Sequence, residues 1–320
     1  MKKNYYIFKC GRLKRKDNTI CYELMGDDES KVTLPIETIK DIYIFCNSDI
    51  NTACFEILNK YNINIHMFDH YGNSIGGYVT TKELLSGYST INQVNKFNEY
   101  RINMAAEFLC GAKHHMKQNL MEYGVECSHL DNINLFKSIN IQQLMGYEAS
   151  IRKFYYSNFD KMCKHFNFEK RTKQPPMNEL NAIMSFGNML CYSICLRAIK
   201  KTQLDSTISF LHEPGFRRHS LSLDIAEIFK PLYVDRVIFK LVNNKIITKK
   251  HFIKNNNYCF LNEHGKKIFI SEWENKLKTT FKHEKLNRNV SYNELIELEC
   301  YKLLKFINED EIYESLKLKW

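Results

Sequence analysis

Leu204-Asp205-Ser206-Thr207-Ile208-Ser209-Phe210-Leu211-His212-Glu213-Pro214-Gly215, followed after Phe216 by Arg217-Arg218-His219-Ser220-Leu221-Ser222-Leu223-Asp224-Ile225-Ala226-Glu227-Ile228-Phe229-Lys230-Pro231, sets a histidine in a Pro-Gly turn ahead of an apolar segment. The segment predicts a helix over 220–229. Asp224 and Glu227 are three residues apart and share one face of it. Leu221, Leu223, Ile225 and Ile228 call for burial. Carboxylates at the edge of such a helix are costly unless something positive sits among them. A divalent metal satisfies that need, and one imidazole with carboxylates suits Mg²⁺ or Mn²⁺. The competing reading of a lone turn histidine is a structural hydrogen bond, and it stays open on the sequence alone.

Outward from this helix the pattern remains helical. Val94, Phe97, Arg101, Met104, Ala105, Phe108 and Leu109 form a stripe of period 3.6. Further helices are predicted over 141–163, from Pro175-Pro176 to Lys200, and over 234–245. Ser291-x-x-Glu294 is a capping box that opens a last helix. Before residue 80 the period changes. Runs rich in Tyr, Ile, Val and Phe at 5–10, 19–24, 31–35, 41–46, 63–68 and 75–80 predict strands, with one helix over 51–61. The stretch 81–92 shows no clear period and is read as a linker. The fold class is therefore α+β: a small N-terminal β domain (1–80), the linker, and a larger all-α domain (93–320) that carries the candidate site.

The chain has 320 residues and a net charge of +10. Residues 1–80 hold ten Lys and Arg against ten Asp and Glu, so the whole excess lies in the helical part. A surplus confined to one domain fits a polyanionic partner; a solvated lysine-rich surface fits equally well. No run of 18 apolar residues occurs, so no membrane span is expected. Eleven cysteines without a Cys-x-x-Cys pair predict reduced thiols in a cytoplasm. Gly-rich phosphate loops and nucleophile elbows are missing from the sequence.

Two more places carry polar residues where apolar ones are expected. Glu148 shares a stripe with Leu144, Ile151 and Tyr155, and Gly146 next to it leaves room for a backbone or ligand. The plain alternative is an i,i+4 pair between Glu148 and Arg152. Asn181, Ser185, Asn188 and Tyr192 line an otherwise apolar helix. Buried polar stripes need partners. They would orient metal ligands or touch a phosphate, or simply join helices.

Residues 204–236, with Gly146-Tyr147-Glu148 and Pro175-Pro176-Met177-Asn178-Glu179-Leu180-Asn181-Ala182, resemble the CRISPR-associated integrase of spacer acquisition, the first-numbered Cas protein (Cas1). The likeness extends to Gly11–Thr19 and to Ile65–Gly72, so it covers almost the full length. The N-terminal wording is most similar to that of type I-B systems. The resemblance implies a β-sandwich-like N-terminal domain, a helical catalytic domain and a metal-dependent homodimer with Glu148, His212 and Glu227 as catalytic metal ligands. Glu227 stands where many members have aspartate, so Asp224 is kept as the alternative ligand, expected at the rim of the site. Asn181, Ser185 and Tyr192 are placed in a supporting role.

The activity implied is attack by the 3′-OH of captured DNA on a phosphodiester at the edge of a CRISPR repeat. Double-stranded DNA would be held by Arg171, Lys173, Arg217, Arg218 and Arg236. A dimer of the small second CRISPR-associated protein (Cas2) would bridge two homodimers into a heterohexamer. Two rival readings are a metal-dependent nuclease that does not join DNA and a catalytically inert DNA-binding scaffold.

Overall fold

The computed structural model describes residues 2–26, 30–80, 84–215, 219–283 and 286–319. The chain divides into two compact units, Met1–Glu83 and Leu84–Trp320.

In the first unit the described strands are β1 (Lys3–Ile7), β2 (Gly11–Lys16), β3 (Thr19–Leu24), β4 (Lys31–Leu34), β5 (Ile39–Ile44), β6 (Ser48–Ile50), β7 (Asn64–Phe68) and β8 (Ser74–Tyr78), with helix α1 (Thr52–Tyr61) between β6 and β7. They form two four-stranded sheets, ordered β1-β5-β7-β8 and β4-β3-β2-β6. β1, β5 and β7 run parallel, while β2, β3 and β4 are antiparallel neighbours. Leu13 and Ile20 of one sheet share a core with Ile42, Ile44 and Ile65 of the other and with Leu58 of α1. Each such buried side chain contributes about 1.5–3 kcal/mol.

Two strands escaped the sequence reading. β2 is largely basic, but Leu13 points into the core while Arg12 and Arg15 face out to Asp49 and Glu56. The three-residue β6 is too short to show alternation. β1 ends earlier than the expected run over 5–10, because its register with β5 stops at Ile7–Ile44 and the Cys10 carbonyl then accepts the Met25 N–H.

The second unit is helical: α2 (Gly87–Glu122), α3 (Ile141–Ser157), α4 (Phe159–Met162), α5 (Glu179–Lys200), α6 (Ser220–Phe229), α7 (Arg236–Asn243), α8 (Glu263–Lys278) and α9 (Tyr292–Glu309). Three expectations are corrected here. The stretch read as a linker over 81–92 is helical from Gly87, capped by the Ser86 side chain on the Ser89 N–H. Its apolar period is hidden because Ser89 and Gln93, both buried, face inward and bond Gln203, Asp205 and Ile208. The unit is not purely helical either: β9 (Phe252–Lys254) pairs with β10 (Cys259–Leu261), and β11 (Thr280–His283) with β12 (Arg288–Ser291). The helix expected over 141–163 breaks at Asn158, whose amide turns back to the Phe154 carbonyl. α8 went unread, because Lys266, Lys267 and Glu272 interrupt the inward set Phe269, Ile270 and Trp273. All eleven cysteines are free thiols.

α5 is the central helix. Its length and composition would let it cross a membrane, yet it is mostly buried inside this unit, packed on α6, α9, β10 and the segment Lys230–Asp235. A Cβ on Gly187 would come 2.5 Å from Val234 and 2.8 Å from Phe269, so only glycine allows that approach.

Residues 311–319 have no regular secondary structure but are tied down. Glu299 accepts from the Tyr313 hydroxyl at 2.6 Å and the Leu316 N–H at 3.1 Å, and Glu107 accepts from the Ser315 N–H at 3.0 Å. The Leu318 N–H donates to His115 Nε2 at 3.1 Å, so Nδ1 carries the proton and donates to the Ile228 carbonyl at 2.8 Å. Burial lowers the His115 pKa from 6.5 to about 3. The folded state then binds fewer protons than the unfolded one between those values. The contribution of this group is fully present above about 6.5 and is lost as pH falls toward 3. Melting curves at pH 7.5 and 5.0 should show a drop in Tm on acidification that is smaller in His115→Gln. Equal pH slopes in the two proteins would contradict this role.

Candidate active site

The turn before α6 is shaped around one buried acid. Asp224 is fully buried. Its Oδ2 accepts the backbone N–H groups of Phe210 (2.6 Å) and Leu211 (2.9 Å). Its Oδ1 accepts the His212 N–H (3.0 Å) and His212 Nδ1 (2.7 Å). The turn is fastened further by Ser209 Oγ, which donates to the His212 carbonyl at 2.7 Å, and by Arg101 Nε on the Phe210 carbonyl at 3.1 Å. Asp224 therefore fixes the His212 tautomer with the proton on Nδ1. That leaves Nε2 as a free electron pair, 3.9 Å from Glu227 Oε1.

Asp224 thus lies beneath the site, not at its rim. Its accepting capacity in the plane is filled by those four donors. Glu227 sits one turn later on the same face, 4 % exposed at its side chain. No backbone donor reaches it in the hydrogen bonds described. Its partners are cations instead: Arg152 Nη2 on Oε2, and Lys230 Nζ on Oε1 at 2.6 Å. Arg152 also donates from Nε to Glu148 Oε1. One guanidinium therefore bridges the acids of α3 and α6, and Glu148 and Glu227 are held together although they lie 79 positions apart in the chain. The i,i+4 pair weighed from the sequence is real, and it is one half of this bridge. Open space lies at Gly146, where a Cβ would meet nothing within 4 Å.

Lys230 opens the stretch Lys230–Asp235, which is wound as a π-helix. Pro231 has no N–H to donate, and such windings recur at functional sites. The Lys230 ammonium lies 4.7 Å over the Tyr192 ring. Burial works to raise the Tyr192 pKa, but the charges of Lys230 and Arg152 outweigh it and pull the hydroxyl below its usual value. At the far end of the π-turn, Asp235 accepts from the Tyr155 hydroxyl at 2.9 Å and is fully shielded; burial raises its pKa to about 7. Tyr155 in turn accepts from Asn119, which also reaches the Pro231 carbonyl. These residues form a polar floor under the acids.

The other residues singled out from the sequence fall at different depths. Asn181 and Ser185 do not touch the acids. They hold Arg171, whose Nη1 donates to Asn181 Oδ1 at 2.9 Å and Nη2 to Ser185 Oγ at 3.1 Å. Arg236 is engaged with Glu122 and Asn119, so neither arginine presents an uncommitted guanidinium. Lys173 is exposed along the chain. Partial burial of its ammonium, then the positive charges of Lys230, Arg171 and Arg152, push its pKa down. Arg217 and Arg218 lie outside the described residues.

Arg152, Lys230, Asp235 and Asn119 carry much of the local electrostatics and were not read as site residues. Lys230 had a usable signal in its spacing of three from Glu227. Among the described residues no group of three His, Cys, Asp or Glu is already arranged as a metal cage; the acids are instead closed on Arg152 and Lys230. The donor set itself, two carboxylates free of backbone bonds and one oriented imidazole nitrogen, fits a divalent ion.

The model of the family described as CRISPR associated protein Cas1 matches residues 5–275. A CRISPR-associated endonuclease Cas1 from Clostridium perfringens is 44 % identical over all of this chain and all of its own length. One from Moorella thermoacetica is 41 % identical over 99 % of this chain and 100 % of its own. The structure of a Cas1 protein from Thermotoga maritima superposes with a TM-score of 0.88 at 35 % identity, over 98 % of this chain and 100 % of that one.

Proposed function

This chain belongs to the Cas1 family of CRISPR-associated proteins, and on that premise we propose that it is a metal-dependent DNA endonuclease and integrase of CRISPR adaptation. It joins the 3′-OH ends of captured DNA to a CRISPR repeat by transesterification. The observation that supports this reading is the Arg152 bridge between Glu148 and Glu227, with Glu227 3.9 Å from the lone-pair nitrogen of His212 that Asp224 orients. Those three side chains would hold Mg²⁺ or Mn²⁺, which when bound polarises a phosphoryl oxygen and offsets charge on the entering or leaving oxygen.

The chain's own groups supply the rest. Asp224 keeps His212 in one tautomer and one orientation. Lys230, Arg171 and Lys173 gather positive charge around the acids, where a phosphodiester would lie. The open space at Gly146 leaves room for its backbone. In the reaction the attacking 3′-oxygen bonds the phosphorus and loses its proton. The P–O3′ bond of the repeat breaks, and that oxygen leaves as a new 3′-OH. Bond count is conserved, so no nucleotide triphosphate is needed.

A homodimer, bridged to a second by a dimer of Cas2, would set two such sites at the two ends of one repeat. The decisive experiment incubates the protein with Cas2, a short duplex with free 3′-OH ends, and a supercoiled plasmid bearing a CRISPR repeat. Joined molecules should appear only with Mg²⁺ or Mn²⁺ and only with 3′-OH ends. Shortened products without new junctions would favour the nuclease that does not join. Binding without any chemistry would favour the inert scaffold.

A further inference from the structure

Resting on the metal-dependent reading, the geometry points to a further role for Arg152: we propose that it is an internal counter-cation that makes the divalent metal and the DNA phosphate bind together and not separately. The guanidinium bridges Glu148 and Glu227 with two different nitrogens, and its side chain is only 19 % exposed. Lys230 holds the second oxygen of Glu227. Two carboxylates are thus already matched by two cations, while Asp224 is satisfied by its own four N–H donors. A dication entering this set competes with Arg152 for both acids, and it leaves Glu148, Glu227, Arg152 and Lys230 together two positive charges in excess, of which the Asp224 carboxylate offsets one.

That excess is unfavourable in a mostly buried pocket unless anions arrive with it. A DNA phosphate supplies them, and a planar guanidinium released from two carboxylates is well shaped to take two phosphate oxygens. Metal alone therefore works against a closed ion-pair bridge, and phosphate alone meets arginine already engaged. The two ligands together exchange partners without leaving a buried charge unmatched. By linkage, each must then tighten the other by the same factor. Arg152 is a positioning residue in this scheme while the acids hold it, and a phosphate contact once it is released.

The test measures Mn²⁺ binding to the full-length protein from the loss of the free-ion paramagnetic resonance signal. It is run alone and with a duplex whose 3′ ends are dideoxy-terminated. In the wild type, DNA should tighten Mn²⁺ binding by roughly 5–150-fold, the usual span of such coupling. Arg152→Gln should bind Mn²⁺ more tightly than wild type without DNA, by about tenfold, and show little further gain when DNA is added. Arg152→Lys keeps the charge but cannot span both acids, so it should move in the same direction. It carries the test if the glutamine variant does not fold. A purely structural arginine predicts the opposite sign, with metal affinity falling or unchanged in both variants. That result, or a wild-type affinity indifferent to DNA, overturns the inference while leaving the metal reading standing. Absence of Mn²⁺ binding in every protein, with and without DNA, overturns both.

Discussion

Glu148→Ala is expected to lower strand joining by at least ~10³-fold and to leave the fold intact, because several kcal/mol of charge stabilisation would be lost at about tenfold per 1.36 kcal/mol. The argument rests on what Glu148 does and does not touch. Its side chain is 18 % exposed, and its described bond is to Arg152 alone. It accepts nothing from the backbone in the bonds described, so its removal leaves a single side-chain donor, Arg152 Nε, without its described acceptor. Arg152 keeps Glu227 as a partner. The variant should therefore melt within a few degrees of the wild type while losing Mn²⁺ binding and activity together. Glu148→Gln, which keeps the shape and removes the charge, should behave the same way. Purified Glu148→Ala that joins DNA at a rate near wild type would remove this residue from the site.

Asp224→Ala is expected to damage fold and activity at once. Three backbone N–H groups and one imidazole N–H converge on this carboxylate inside a fully buried turn. Alanine would strand all four donors. Breaking a buried charged network of this kind costs about 3–5 kcal/mol, and in a domain of this size that lowers Tm by on the order of 10 °C. Asp224→Asn is the sharper probe. Its amide keeps one accepting oxygen but turns a second donor toward the others, so part of the destabilisation remains. With the His212 tautomer no longer fixed, activity should fall a further ~10–100-fold, as for groups that orient a metal-ligating histidine. The contrast with Glu148 is the test: one variant loses chemistry without stability, the other loses both. An Asp224→Ala protein as stable as wild type would mean that the turn is held by something else.

The sequence was most readable where one period dominates. α6 falls on the residues its apolar spacing marks, and α9 opens at Ser291, whose side chain accepts the Glu294 N–H; the Glu294 carboxylate, expected to complete a capping box, is paired with Arg288 instead. It was least readable where inward groups are polar. Ser89 and Gln93 disguise the first turns of α2, and the buried Lys266 disguises α8, since periodicity tracks apolarity and not burial. The same limit governs the site. A spacing of three sets Asp224 and Glu227 on one face, but it does not say which of them the preceding turn wraps. That was decided by loop backbone N–H groups, which have no signature in side-chain identity. Arg152 was legible as the partner of Glu148; its second arm, to Glu227, needed the tertiary approach of α3 to α6. Arg171, expected to contact DNA, donates to Asn181 and Ser185, two residues read separately from it.

The position of α5 in the chain has a consequence for synthesis. The neighbours against which it packs most, α6, the π-wound segment, β10 and α9, all follow it in the chain. As the polypeptide leaves the ribosome, this 22-residue apolar helix emerges before any of them. Between its last residue, Lys200, and the end of α9 at Glu309, translation at ordinary speed takes roughly 5–20 s. Throughout that interval this long apolar helix lacks part or all of the set of neighbours it packs against most. A nascent chain stalled far enough past Lys200 for α5 to have cleared the ribosomal exit tunnel, but before α9 is made, should therefore be held by general chaperones, and the released chain carrying α9 should not.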